Sequence, residues 1–373
     1  MKRHQFLEVS AAAAAASGLT AATALANQPD EIKVLTKLLN GMLGAHNVPS
    51  ASFAILQASQ LYASVAGQRV AGGAKATTET VYQAASCSKM IAALSGVVLA
   101  NRGKINIDGN LSKTLQTLNI PSVSGAHAVT LRRLFGMTSG ANVHGFGGYP
   151  HGHRLPSIMQ ILHGTPPANS PKIKIVNPPG THYAYSGGGY EIAQIVLAQA
   201  TSENYPTLAQ SLVLAPLAMT RSSYDVPLGA NVAYAYNSSG NVYPGNWNVF
   251  PEFAAAGLWT TPTDLIHFAQ GLIKSYHGHP ISLIGQSWAQ QMFQNVDGFR
   301  YGIGATLVTR SGVVSYNKGG VNVGYRAYLI LFPESGQAAA IMTNGDNGQA
   351  LFTPFYKAVA QAYNWPYFPG IVD

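Results

Sequence analysis

The sequence predicts an α/β (α+β) protein: an antiparallel sheet built from both chain ends, flanked by helices, with a mostly helical subdomain inserted between. Three observations carry this. Short β-rich runs gather before residue 66 and again after residue 301. Between them lies a long middle punctuated by Pro and Gly and holding helical patches. Near residue 90 the chain is apolar on every side of a helical wheel, the pattern of a helix enclosed by other elements.

Residues 1–26 read as an export signal rather than as part of the fold. Lys2 and Arg3 open it, Val9 to Ala24 is Ala-rich and weakly apolar, and Ala24-Leu25-Ala26 is a small-x-small cleavage site. Arg3-His4-Gln5-Phe6-Leu7 is twin-arginine-like with His4 in place of the second arginine. The expected location is periplasmic or secreted. No later stretch is long and apolar enough to predict a membrane span.

Residues 27–373 form the expected catalytic domain, its α/β part at about 30–100 and 300–373 and its helical part at about 101–299. Asp30 to Leu43 carries Ile32, Leu35, Leu38, Leu39, Met42 and Leu43 at three- and four-residue spacings, an amphipathic helix with Asp30 placed to cap it. Ala51–Gln57 and Leu61–Val65 predict a hairpin. Met90–Ala100 predicts the buried helix, with Gly103 as its stop. Glu191–Ala200 and Asp264–Ile273 are helical patches, the second preceded by Thr261-Pro262 as cap and first-turn proline. Tyr301–Thr309, Val313–Asn317, Tyr325–Phe332 and Ala338–Thr343 predict four strands, and Leu351–Tyr363 a closing helix.

Composition excludes several classes. Apolar residues are 47% and charged residues only 10%, which is unlike a disordered polyelectrolyte or a coiled coil. The net charge of +8 is spread thinly, with no basic run beyond Arg132-Arg133, so no nucleic-acid face is predicted. Cys87 is the one cysteine, so no intrachain disulfide and no cysteine zinc site can form. His144, His151 and His153 lie in a Gly-rich loop without nearby carboxylates, which reads as a surface or substrate-lid loop rather than a metal site. His277-Gly278-His279 reads as a turn. No Gly-x-Ser-x-Gly elbow and no His-Glu-x-x-His helix occurs.

The chemistry points to Ser86-Cys87-Ser88-Lys89 at the mouth of the buried helix. Residues three apart share a helical face, so the Lys89 amine can reach the Ser86 hydroxyl. A hydroxyl becomes a nucleophile when a base takes its proton, and a lysine serves when burial or a second cation lowers its pKa. Cys87 reads as a small packed neighbour. A second copy of the spacing, Ser315-Tyr316-Asn317-Lys318, falls where a strand is read as running into a Gly turn. Residues three apart on a strand face opposite ways, so this pair is not a nucleophile and its base.

Thr80–Lys89 followed by Gly103–Asp108, then Thr138-Ser139-Gly140, Pro179-Gly180-Thr181, Tyr185-Ser186-Gly187, Gly257–Asp264 and Lys318-Gly319-Gly320 resemble, in order, the motifs of the serine β-lactamase and penicillin-binding superfamily. The sequence is most similar to the branch holding class C β-lactamases, D-alanyl-D-alanine carboxypeptidases and β-lactamase-like esterases. The resemblance covers about residues 31–357. It implies Ser86 as acylated nucleophile, and Lys89 and Tyr185 as general base and acid. Lys318 would hold both at low pKa and attract a substrate carboxylate. The backbone N–H groups of Ser86 and Val321, the residue after Gly320, would form the oxyanion hole. Gly187 departs from the pattern, which has an Asn there to hold a substrate amide. The glycine permits close backbone approach and supplies no carboxamide. The expected enzyme is therefore an esterase or D-Ala-D-Ala carboxypeptidase-like hydrolase rather than a true β-lactamase. Its expected partner is a small acyl substrate or cell-wall peptide, with neither cofactor nor metal. A non-hydrolytic muropeptide- or penicillin-binding protein on the same scaffold is the alternative.

Overall fold

The computed structural model describes residues 29–125, 127–225 and 231–372. The proposed export signal lies outside them. Helix α1 (Asp30–Leu43) leads into the hairpin β1 (Ser50–Gln57) and β2 (Gln60–Gly67). The two-residue link Ala58-Ser59 has both residues at positive φ, the turn that matches the twist of paired strands. Helix α2 (Ser88–Asn101) follows, then the mostly helical middle with α3 (Gly187–Thr201) and α4 (Pro262–Tyr276). The chain returns through β3 (Thr306–Arg310), β4 (Val313–Asn322), β5 (Tyr325–Phe332) and β6 (Gln337–Thr343) and ends in α5 (Phe352–Ala362).

The six strands form one antiparallel sheet in the order β2-β1-β6-β5-β4-β3. The chain ends meet where β1 pairs with β6, Ala51 opposite Thr343 and Phe53 opposite Ile341. The sheet is covered on both faces, which is why its strands are nearly continuous apolar runs rather than clean alternations. Phe53, Ile55, Tyr328, Ile330 and Ile341 pack against Ile32, Leu35 and Leu39 of α1 and Phe352, Phe355 and Val359 of α5. On the other face Ala54, Leu56, Leu329, Leu331 and Met342 join a larger core with α2, α3 and α4. In α2 every residue from Ser88 to Ala100 is buried, as its all-round apolarity requires. No helix among the described residues is long and apolar enough to cross a membrane.

Several local readings change. Asp30 is the first helical residue, not the cap; it accepts a hydrogen bond from Lys33 at 2.9 Å. The segment before β3 is not extended from Tyr301, because Gly302 and Gly304 fold it into a tight turn closed by Gly302 N–H on the Ala305 carbonyl. Strand β4 does not end in a turn at Lys318: it runs on through Gly319 and Gly320 to Asn322. The glycine at 320 lets the strand pass the preceding layer, since a Cβ there would meet the Ala84 carbonyl oxygen. Thr261 does cap α4, its hydroxyl accepting from Asp264 N–H at 3.2 Å.

Candidate active site

Ser86 sits in the single turn Ala85–Cys87 that opens directly into α2. Ala85 holds φ +50°, a left-handed conformation that alanine adopts only at a cost. The surroundings enforce it. Ser88 donates its hydroxyl to the Ala85 carbonyl at 2.6 Å and accepts from Leu258 N–H at 3.0 Å, while Ala84 N–H binds the Leu258 carbonyl at 2.8 Å. The nucleophile turn is thus pinned to Leu258.

Lys89, one helical turn on, is 2% exposed. Its Nζ lies 3.1 Å from Ser86 Oγ and donates to the Ala255 carbonyl at 2.8 Å. Burial pushes its pKa down; the Tyr185 phenol, its hydrogen-bond partner, pulls back, Lys318 pushes further down, and Glu191 opposes. The lysine is therefore shifted toward the neutral amine that can take a proton from Ser86.

Tyr185 comes from the segment before α3. Ser186 caps that helix, accepting from Gly189 N–H at 2.9 Å and donating to the Asn142 carbonyl at 2.5 Å. The cap moves the helix start to Gly187, earlier than the apolar pattern indicates. Two lysine nitrogens lie close to the Tyr185 ring, Lys89 Nζ at 5.2 Å and Lys318 Nζ at 5.0 Å from its centroid, with the His144 ring at 4.8 Å. Lys318 is fully buried in β4. Strand β3 pairs with β4 only as far as Asn317, so Lys318–Asn322 pair on one side with β5 and turn their other edge toward the Ser86 turn.

These elements enclose a cavity of about 520 Å³ lined by Ser86, Lys89, Tyr185, Gly319 and Val321, with residues from 144–146, Tyr183, 255–256 and Asn322 completing the wall. The structure brings Ser86, Lys89, Tyr185 and Lys318 into one cluster and Val321 onto its wall. It does not bring Gly187 or Gly320 onto that wall. A Cβ at 187 would lie 2.9 Å from the Phe146 ring and 3.2 Å from the His144 carbonyl oxygen, and Gly320 faces Ala84. Ser315 points elsewhere, its hydroxyl bonding the Val308 carbonyl. Cys87 is buried beside the Lys318 carbonyl, at 3.4 Å. The His144 ring lies tilted against Tyr185, and His151 stacks on Trp247 at 5.0 Å.

The polar layer beneath Lys89 carries no sequence motif. Glu191 and Gln194 of α3 accept from Ala255 and Ala254 N–H at 3.2 and 2.8 Å, fixing the carbonyl that orients Lys89. Burial holds the Glu191 carboxyl well above its usual range, and the nearby Glu252 adds to this. Burial also pushes Glu252 up to about 7. A lone Glu within the apolar run Tyr190–Leu197 was the available signal. The scaffold motif Thr138-Ser139-Gly140 has a structural role: Thr138 donates to Asp297 at 2.6 Å, and Asp297 pairs with Arg133 at 3.0 Å.

The chain is similar to several known proteins. Penicillin-binding protein 4 of Amycolatopsis lactamdurans is 24% identical over 330 residues, 84% of this chain and 85% of that protein. Protein flp of Staphylococcus aureus strain N315 is 22% identical over 84% of this chain; the chain spans 63% of that longer protein. Among solved structures, the D-amino acid amidase of Ochrobactrum anthropi SV3 superposes with a TM-score of 0.73 at 17% identity, over 89% of this chain and 99% of that one. The octameric penicillin-binding protein homologue of Pyrococcus abyssi gives a TM-score of 0.70 at 21% identity, over 89% and 77%. Residues 35–363 match the family described as Beta-lactamase. That match spans most of the chain, and with a β-lactamase/transpeptidase-like fold around its Ser-Lys-Tyr cluster, this protein belongs to the Beta-lactamase family within the serine β-lactamase and penicillin-binding superfamily.

Proposed function

We propose that the protein is an exported serine hydrolase that cleaves an ester or amide carbonyl through an acyl-enzyme on Ser86. The observation that carries this is the contact of Lys89 Nζ with Ser86 Oγ at 3.1 Å, on the wall of a cavity, by a lysine whose burial favours the neutral form. Lys89, coupled to Tyr185, takes the Ser86 proton as Oγ bonds to the carbonyl carbon. The resulting oxyanion is assigned to the backbone N–H groups of Ser86 and Val321, residues of the nucleophile turn and of β4 that both line the cavity. Tyr185 passes the proton to the leaving group as the carbonyl–heteroatom bond breaks. Water then attacks the acyl carbon by the reverse relay, releasing the acid and restoring Ser86. Lys318 acts from beneath Tyr185, favouring its phenolate by charge. Being fully buried, it serves this role better than direct capture of a substrate carboxylate.

Ester hydrolysis fits better than turnover of β-lactams or D-Ala-D-Ala peptides, because both of those carry an acylamino group beside the scissile carbonyl and position 187 has no carboxamide to hold it. The test is labelling by a fluorophosphonate probe with mass mapping to the Ser86 peptide, abolished by Ser86→Ala. Folded wild-type protein that stays unlabelled refutes the assignment and favours the non-hydrolytic binder. Parallel assays with p-nitrophenyl esters, D-Ala-D-Ala peptides and a chromogenic cephalosporin then rank the substrates. Detection of the chain lacking residues 1–26 outside the cytoplasm tests export.

A further inference from the structure

The glycine at 187 is matched by what occupies its place. Loop 142–146 lies directly on the start of α3: Gly187 N–H donates to the His144 carbonyl and Gly188 N–H to the Val143 carbonyl, both at 3.0 Å. The Phe146 ring takes the space a side chain at 187 would need, 2.9 Å from the Cβ position. Phe146 is half-buried, packed against the core on one side and lining the catalytic cavity on another. Tyr183 and Val321, large apolar side chains that are exposed, line the same cavity at 41% and 58% exposure. Exposed apolar groups gathered around a concave site mark where an apolar ligand group loses its water.

The polar side of the wall gives the same answer. Among the described residues Asn322 is the sole carboxamide side chain on it, and both N–H bonds are committed, to Gln83 Oε1 at 2.7 Å and to the Ala256 carbonyl at 3.2 Å. Asn142, at the base of the loop, spends its amide on the Lys172 carbonyl and on Lys174 N–H. A substrate amide beside the scissile carbonyl would find no carboxamide N–H to replace its water, a loss that sites penalise strongly. Among the described residues no carboxylate lines the cavity, so a cationic substituent finds no partner in that lining.

Resting on the acyl-enzyme reading above, we propose that the substrate bears an apolar, aliphatic or aromatic group next to its scissile carbonyl where an acylamino group would otherwise sit. Phe146, Tyr183 and Val321 form the subsite for this group, and Phe146 determines the preference by standing in for the missing carboxamide.

A matched pair of esters tests it: methyl 4-phenylbutanoate and methyl hippurate, which differ by replacement of two methylenes with an amide. Acid release is measured with wild-type protein already shown to be labelled on Ser86 by the fluorophosphonate. The expected kcat/KM ratio favours 4-phenylbutanoate by about 10-fold or more. Phe146→Ala is expected to lower that ratio about 10-fold, and Tyr183→Ser, at an exposed position outside the loop, to lower it in the same direction. The second variant keeps the test decisive if loop 142–146 rearranges in the first. Labelled protein that releases 4-phenylbutanoate no faster than hippurate overturns the substrate assignment alone; absence of labelling overturns the acyl-enzyme reading beneath it.

Discussion

Replacing Gly320 by alanine tests whether the approach of β4 to the nucleophile turn sets the rate. The added Cβ would lie 2.1 Å from the Ala84 carbonyl oxygen and 3.1 Å from Ala85 Cβ. An ordinary carbon–oxygen contact is about 3.2 Å, so strand and turn must part by about 1 Å. Neither can yield cheaply. The turn is tied to Leu258 by two hydrogen bonds, and β4 is registered to β5 from Tyr316 through Asn322. The displacement falls next to Ser86 and Val321 in the chain, whose N–H groups are the two donors of the proposed oxyanion hole. A misplacement of this size costs about 100-fold in kcat/KM, or about 3 kcal/mol in the barrier. Overpacking should also lower stability by about 1–3 kcal/mol. The assay is p-nitrophenyl ester hydrolysis and fluorophosphonate labelling rate alongside thermal melting. Gly41→Ala is the control: on the exposed side of α1, its Cβ meets nothing within 4 Å, so activity should hold and stability rise by up to about 1 kcal/mol. A Gly320→Ala protein that turns over within threefold of wild type with an unchanged melting point refutes the reasoning.

Lys89→Met is expected to abolish labelling while preserving or raising the melting temperature, because it removes a buried ammonium from beside a second one; loss of folding would contradict this. The pKa of Lys89 is lowered in the folded state, so the unfolded chain binds its proton more readily and this group's destabilising effect fades as pH rises toward the ordinary lysine value. The stability gain of the Met variant should shrink over the same range, as followed by urea unfolding. Glu252 runs the other way on the acid side: raised from 4.5 to about 7, it binds protons more readily when folded and weakens the fold as pH climbs between those values. Glu252→Gln should match wild type at pH 4 and exceed it by about 3 kcal/mol above pH 7; a gain independent of pH would refute the assignment. Gln194→Leu leaves the Ala254 N–H buried and unpaired, with an expected cost of about 1–3 kcal/mol and a lower labelling rate as the Ala255 carbonyl loses its support. Unchanged labelling would show that this carbonyl needs no second anchor.

The sequence by itself determined the parts whose geometry is local. A serine and a lysine three residues apart at the start of an apolar helix share a face because helical rise and twist dictate it, and the structure holds Lys89 3.1 Å from Ser86. Apolar strands at both chain ends implied a shared sheet, since each needed a partner and a covering layer, and β1 pairs with β6 accordingly. The tertiary structure alone decided what depends on distant segments meeting. Lys318-Gly319-Gly320 read locally as a turn, yet packing against Ala84 makes it a strand, because glycine's missing Cβ serves close approach as readily as bending. Gly187 announced a missing carboxamide but not its replacement; that came from Phe146, 41 residues earlier in the chain, through a loop fitted onto the start of α3. Glu191 and Gln194 likewise lie within an apolar helical run, and their purpose shows only once residues 254–255 are folded beneath Lys89. Periodicity encodes which way a side chain faces along its own element, whereas the identity of what it faces is fixed by chain closure over tens to hundreds of residues, which no local pattern records.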